Sequence, residues 1–318
     1  MEKRTLGTSG LEIAPLVFGG NVLGWTADEA ASFDLLDRFL EAGFNAIDTA
    51  DMYSSWVPGH AGGESESVIG HWLKSRPGAR DRVLVFTKTG MPLPNRGQGL
   101  RAERIVSAVE ESLKRLRTDH IDLFFSHQAD TATPIEETLG AYEKLIQAGK
   151  IRAIGASNYD AAQLREALDV AERNGLPRYE VLQPEYSLAR RNLFEGPVMD
   201  LVTERGLGVV SYFSLASGFL TGKYHSEADL EGRPRAGMVK QYMTSQGLAV
   251  LDALEEVAAA HGVQPAAVAL AWLMAQPAVT APIASATRAS HVDTFIQAAE
   301  LRLSGDELAR LDVASRPQ

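Results

Sequence analysis

Eight short apolar runs alternate with segments of helical periodicity from Val17 almost to the C-terminus, and this alternation leaves few folds open. The runs are Leu16-Val17-Phe18, ending in Gly19-Gly20, then Asn45–Ile47, Val83–Thr87, Ile121–Phe125, Ile151–Gly155, Val181-Leu182, Gly208–Tyr212 and Thr280–Ile283. Between them the 3.6-residue period predicts helices over Asp28–Glu41, Glu64–Lys74, Ala102–Leu116, Ile135–Gln147 and Ala161–Asn174, then one near Leu201, and two more over Gln246–His261 and Pro265–Ala275. Helical crossovers force the strands to run parallel, and eight parallel strands close around a filled interior. The expected fold is therefore an α/β (β/α)8 TIM barrel. Arg4–Leu6 and Leu11–Ile13, joined by a turn at Thr8-Ser9-Gly10, add an N-terminal β-hairpin. An open doubly wound sheet is the alternative, but Gly19-Gly20 continues as Asn21-Val22-Leu23-Gly24 and does not supply the three-glycine phosphate turn of that fold.

The 318 residues contain no segment resembling a linker, so residues 1–318 are expected to form a single barrel domain. Hydrophobic residues make up 45% and charged residues 23%, the balance of a soluble globular protein. No apolar run approaches the length of a membrane span, and no secretion segment follows Met1. With no cysteine there is neither a disulfide framework nor a thiol nucleophile, and a cytoplasmic location is expected. A net charge of −10 argues against non-specific binding to nucleic acid or anionic lipid, and is compatible with a local basic pocket for a phosphorylated cofactor.

In a barrel the active site lies at the C-terminal ends of the strands. Four ionisable residues stand at or just beyond such ends: Asp48 and Tyr53, Lys88, and His127. A phenol beside an ammonium, the ammonium beside a carboxylate, and an imidazole nearby make a device for protonating a carbonyl oxygen near neutral pH. Lys88, kept charged by Asp48, is expected to lower the pKa of Tyr53, while His127 orients the carbonyl. Taken singly, each has a plainer reading: Asp48 a helix cap, Lys88 a rim ion pair, Tyr53 a loop anchor, His127 a satisfied polar group. All four coinciding on one face favours catalysis. Three long loops leave that face, at 54–63, 91–99 and 217–245, and are the places for substrate and cofactor contacts. Trp56, Met91 and Phe125 are candidate pocket walls.

The chain resembles the aldo-keto reductase superfamily from its first hairpin to its last helix. The resemblance is carried by Asp48-Thr49-Ala50-Asp51-Met52-Tyr53, Thr87-Lys88-Thr89-Gly90 and Ser126-His127, by the stretch from Gly149-Lys150-Ile151 to Ala156-Ser157-Asn158, and by Gln183-Pro184-Glu185-Tyr186-Ser187 and Gly218-Phe219-Leu220-Thr221-Gly222-Lys223-Tyr224. It implies an NADPH-dependent aldehyde or ketone reductase, with NADH as a possible substitute and no metal or flavin. By the same resemblance Ser157, Asn158 and Gln183 hold the nicotinamide carboxamide and Tyr212 stacks on its ring. Gly20, Asn21 and Asp48 lie along the nicotinamide riboside. The loop Ser214-Leu215-Ala216-Ser217-Gly218, with Lys223 and Arg233, closes over the pyrophosphate. At the adenine end it implies Ser285, Thr287, Arg288 and His291, Arg288 facing a 2′-phosphate. There the chain departs from the family pattern: Ser285 replaces a glycine, Thr294-Phe295 a glutamate-asparagine pair, and Phe213-Ser214 a serine-proline.

Other functions remain open at this level. Potassium-channel β subunits of the same superfamily bind NADPH and serve chiefly as interaction partners, but carry asparagine at the position of His127. Lys88 as a Schiff-base nucleophile would make an aldolase. Metal-assisted hydrolysis is weaker, because the seven histidines show no paired ligand spacing.

Overall fold

The computed structural model describes residues 1–93, 96–232 and 235–316. Eight parallel strands close into a barrel: β1 (Val17–Gly19), β2 (Ala46–Asp48), β3 (Leu84–Thr89), β4 (Ile121–Ser126), β5 (Ile151–Ser157), β6 (Val181–Gln183), β7 (Gly208–Ser211) and β8 (Ala281–Ala284), with β8 returning to pair with β1. The helices α1 (Glu29–Glu41), α2 (Glu64–Ser75), α3 (Ala102–Leu116), α4 (Ile135–Gln147), α5 (Ala161–Asn174) and α6 (Pro197–Arg205) each follow the strand of the same number. After β7 come single helical turns, then α7 (Ser245–His261) and α8 (Pro265–Ala275); α9 (Ala289–Glu300) and α10 (Gly305–Ser315) follow β8.

Local sequence explains the boundaries. Asp28 caps α1 by accepting from Ala31 N, Asp160 and Gln163 form a capping box on α5, and Gly175 ends that helix in the left-handed conformation. Periodicity did not delimit α9 and α10. The latter is a short surface helix whose start is marked by a Ser304–Glu307 capping box rather than by an apolar stripe. The strands also run further than their apolar runs: β3 continues through Lys88 to Thr89, whose partner is Ser126, and β5 continues to Ser157. The backbone ladder does not end where the side chains turn polar.

Alternation along the strands sorts the residues into two layers. Val17, Ala46, Phe86, Leu123, Phe125, Ala153, Val181, Val210, Ala281 and Ile283 form one buried cluster, the barrel interior, and the hairpin's Leu6, Leu11 and Ile13 close its floor. The intervening Phe18, Ile47, Val85, Phe124, Ile154, Leu182 and Val209 belong to the larger cluster beneath the helices. Phe125 is thus fully buried in the barrel interior, its ring 6.5 Å from that of Phe86, and not a pocket wall as expected. Gly155 makes room for it, since a Cβ there would lie 2.4 Å from the Phe125 ring.

Candidate active site

Two residues on from the packed interior layer, or four in β5, the same inward parity delivers Asp48, Lys88, His127, Ser157, Gln183, Tyr212 and Ser285 to the top of the barrel. Asp48, the last residue of β2, is 1% exposed, and Lys88 is fully buried. The Lys88 ammonium donates to Asp48 Oδ2 at 2.7 Å, to the Thr49 carbonyl at 2.7 Å and to Tyr53 Oη at 3.1 Å. Gln183 Nε2 donates to the other carboxylate oxygen at 2.9 Å, and the Tyr53 hydroxyl lies 3.4 Å from Asp48 Oδ2. The His127 ring stands edge-on to Tyr53 at 6.1 Å between centroids, with its Nδ1 buried and without a partner among the described residues. The four expected residues therefore meet at one point, joined by Gln183.

The electrostatics differ from the expectation in one respect. Burial, reinforced by the Asp48 carboxylate, pushes the Tyr53 phenol well above its ordinary value; the neighbouring cation does not pull it below. Burial also pushes Lys88 down, against the raising effect of Asp48. Burial and then the Lys88 charge push His127 well below the usual histidine range. At neutral pH the site holds a neutral phenol and a neutral imidazole, both able to donate a hydrogen bond.

A second set of contacts surrounds this group. Ser157 Oγ donates to the Gln183 carbonyl at 2.9 Å. Asn158, in the left-handed conformation at φ 57°, donates through Nδ2 to the His127 carbonyl at 2.9 Å and accepts from the Tyr212 hydroxyl at 2.7 Å. Across the rim Ser285 Oγ donates to Asn21 Oδ1 at 2.6 Å, and the Gly20 carbonyl accepts from Ser65. The loop after β7 is wound tightly, with Phe213, Ala216, Ser217 and Gly218 all at positive φ. Ser214 Oγ donates to the Ser211 carbonyl, and Leu215 accepts from Gly218 N and Leu220 N. At the outer end Thr287 N donates to His291 Nδ1 at 3.2 Å, and burial, then the charges of Arg288 and Lys223, push His291 down to about 4. Arg233 lies outside the described residues.

A dinucleotide fits this donor set. The Ser217 hydroxyl is buried without a partner among the described residues, in the loop expected over the pyrophosphate, and the charges of Arg288 and Lys223 both bear on His291.

Sequence reasoning passed over four neighbours. Trp25 packs edge-on against Trp56 at 5.5 Å, Trp56 against Tyr53 at 6.1 Å, and the Arg235 guanidinium lies 5.6 Å from the Trp25 ring, so an aromatic wall capped by a cation flanks the site. Of the loop residues expected as walls, Trp56 is 44% exposed in that wall and Met91 is half-buried. Asp51 and Glu66 are buried carboxylates behind β3. The signal for them was Thr87 and Thr89: hydroxyls on the helix-facing side of a buried strand need acceptors.

The model of the aldo/keto reductase family matches residues 15–316. The chain belongs to the aldo/keto reductase family. It is an oxidoreductase of the carbonyl-reductase type, in a family that generally uses NADP(H). Relatives align over nearly the whole chain. It is 34% identical to the uncharacterized oxidoreductase YrpG of Bacillus subtilis, covering 98% of this chain and 95% of the relative. A probable voltage-gated potassium channel subunit beta of Arabidopsis thaliana is 32% identical over 95% of this chain and 92% of its own length. The L-glyceraldehyde 3-phosphate reductase of Escherichia coli O157:H7 is 30% identical over 98% and 92%. Among the described residues no single helix is long and apolar enough to cross a membrane, and no group of three or more His, Cys, Asp or Glu side chains could hold a metal ion.

Proposed function

We propose that this aldo/keto reductase reduces an aldehyde or ketone to the alcohol with NADPH, Tyr53 giving the proton. The observation that carries the reading is the Lys88 ammonium bonded at once to Asp48 and Tyr53, with His127 facing the same phenol. When bound, the dihydronicotinamide supplies a hydride to the carbonyl carbon. The protein's part concerns the oxygen. Tyr53 and His127 donate to it, and as charge develops there the Tyr53 proton moves across. Because burial opposes ionisation of Tyr53, the phenolate left behind needs the ammonium 3.1 Å away, which Asp48 in turn holds in place. Ser157, Asn158 and Gln183 would hold the carboxamide, and Lys223 and Arg288 the phosphates, which favours NADPH over NADH. The whole chain, residues 1–318, is read as one domain serving this site.

The test is NADPH oxidation, with NADH in parallel, against a panel of aldehydes, ketones and sugar-derived carbonyls. Tyr53→Phe keeps the ring and removes the acid, so turnover should fall about a hundredfold or more with NADPH binding retained. Similarity to a probable channel subunit favours a second reading, a cofactor-binding interaction protein. Tight NADPH binding with no turnover of any carbonyl would select it.

A further inference from the structure

Behind the strand that carries Lys88 lies a buried set of charges that the reaction does not touch. Thr87 and Thr89, on either side of Lys88, point away from the barrel interior. Thr87 Oγ1 donates to Glu66 Oε1 and Thr89 Oγ1 to Asp51 Oδ2, both at 2.6 Å. Each carboxylate is held from outside by an arginine of α3: Arg115 Nε donates to Glu66 Oε2 at 2.6 Å and Arg104 to Asp51 Oδ2 at 2.8 Å. The Asp51 backbone N–H donates to the Lys88 carbonyl at 3.0 Å, and the His127 N–H to the Thr89 carbonyl at 2.8 Å, so Thr87 and Thr89 are gripped at the side chain and Lys88 and Thr89 at the main chain.

Glu66 is fully buried and Asp51 is 1% exposed, with Asp51 Oδ1 lacking any partner among the described residues. Buried ion pairs of this kind roughly break even with apolar packing at best, so stability alone gives little reason for them. Their location gives a better one. We propose that Asp51 and Glu66 are positioning residues for Lys88: through Thr89 and Thr87 they fix the segment that carries it, and their charges help keep its ammonium available to Tyr53. The inference rests on the roles given above to Tyr53 and Lys88.

The groups facing Lys88 are Asp48 from β2, Tyr53 and Asp51 from the loop after it, Glu66 from α2, Arg104 and Arg115 from α3, and His127 after β4. Burial lowers the ammonium's pKa, and Asp48, then Asp51 and Glu66, raise it. Burial, set against the hydrogen bond from Thr89 and aided by the charge of Glu66, pushes Asp51 itself up to about 6, so it is ionised where the enzyme would work. Without that charge the ammonium gives up its proton at lower pH.

Protein labelled with 13Cε,15Nζ-lysine, with Lys88 assigned through Lys88→Arg, reports this titration by NMR without any substrate. In Asp51→Asn and Glu66→Gln the Lys88 midpoint should fall by about half a unit or more. The basic limb of the kcat profile should move with it, while KM and NADPH affinity stay within about twofold. Thr89→Val should lower kcat about tenfold and Thr89→Ser should restore it. An unchanged Lys88 midpoint in folded Asp51→Asn and Glu66→Gln, or unchanged kcat in Thr89→Val, overturns the proposal even if the variants melt earlier. Should the wild type reduce no carbonyl, the catalytic reading fails, and the NMR titration still decides whether these carboxylates govern Lys88.

Discussion

An ammonium that is wholly buried and bonded to a carboxylate, a carbonyl and a phenol has no apolar substitute, because each partner keeps its demand for a proton when the cation goes. Lys88→Met leaves Asp48 buried with only Gln183, at 2.9 Å, and the long contact from the Tyr53 hydroxyl, at 3.4 Å, as side-chain donors among the described residues. That change should abolish most turnover and cost about 3–5 kcal/mol of stability, read from the denaturant midpoint. The three N–H groups of Lys88 are all committed, so no lone pair is free to attack a carbonyl. Borohydride treatment in the presence of an aldehyde should accordingly leave Lys88 unmodified; a trapped adduct would restore the aldolase reading. At the far end of the cleft, Arg288→Ala should weaken NADPH binding about tenfold to a hundredfold and leave NADH almost unchanged. Equal dissociation constants for the two cofactors in the wild type would refute that assignment. The meeting of Asp48, Tyr53, Lys88 and His127 was legible from spacing alone, but the direction of the Tyr53 shift was not. Sequence names the neighbouring cation, whereas desolvation depends on how deeply the chain buries the phenol.

At the level of strands, the period of two explains both what could be read and what could not. Asp48, Lys88 and His127 each occupy the next inward position above the packed layer, Ala46 leading to Asp48, Phe86 to Lys88 and Phe125 to His127, while Tyr53 comes from the loop after β2. Polar residues at those positions end an apolar run without ending the strand, which is why the sequence reading stopped β3 and β5 short. The same parity places Phe125 inside, a fact hidden while its strand was read simply as apolar. Helices with a clear stripe, such as α3 and α5, kept their expected bounds, while α9 and α10 at the C-terminus had none drawn. Gly155 is the element-scale test. Gly155→Ala puts a methyl group where the Phe125 ring already sits, and should destabilise the protein by about 1–3 kcal/mol, seen as a lower denaturant midpoint at unchanged m. A midpoint equal to wild type would mean that the interior layer has slack.

For the whole molecule, the buried site makes folding sensitive to acid. His127 titrates in the fold well below its ordinary 6.5, and His291 at about 4. Between those folded values and 6.5 the unfolded chain binds more protons than the native one. Stability contributed by these histidines is thus full above 6.5 and is lost as the pH falls. Asp51, raised from 3.8 to about 6, works in the opposite sense, because the native state takes up its proton first. Glu185, also raised by burial, works with Asp51, but its ordinary value of 4.5 keeps its effect toward the acid end, and the melting temperature should fall between pH 7 and pH 5. His127→Asn removes one of the two histidines and should flatten that fall; an unaltered slope would show that His127 is not held neutral.

The hairpin residues Leu6, Leu11 and Ile13 seal one end of the barrel and the packed layer above them fills it, so the site on top of that layer is reached from the opposite end. Traffic through one mouth forms a queue. Whatever lies deepest must arrive first and leave last, so the order in which ligands come and go is set by depth as much as by affinity. In a site built this way the order of arrival would follow depth.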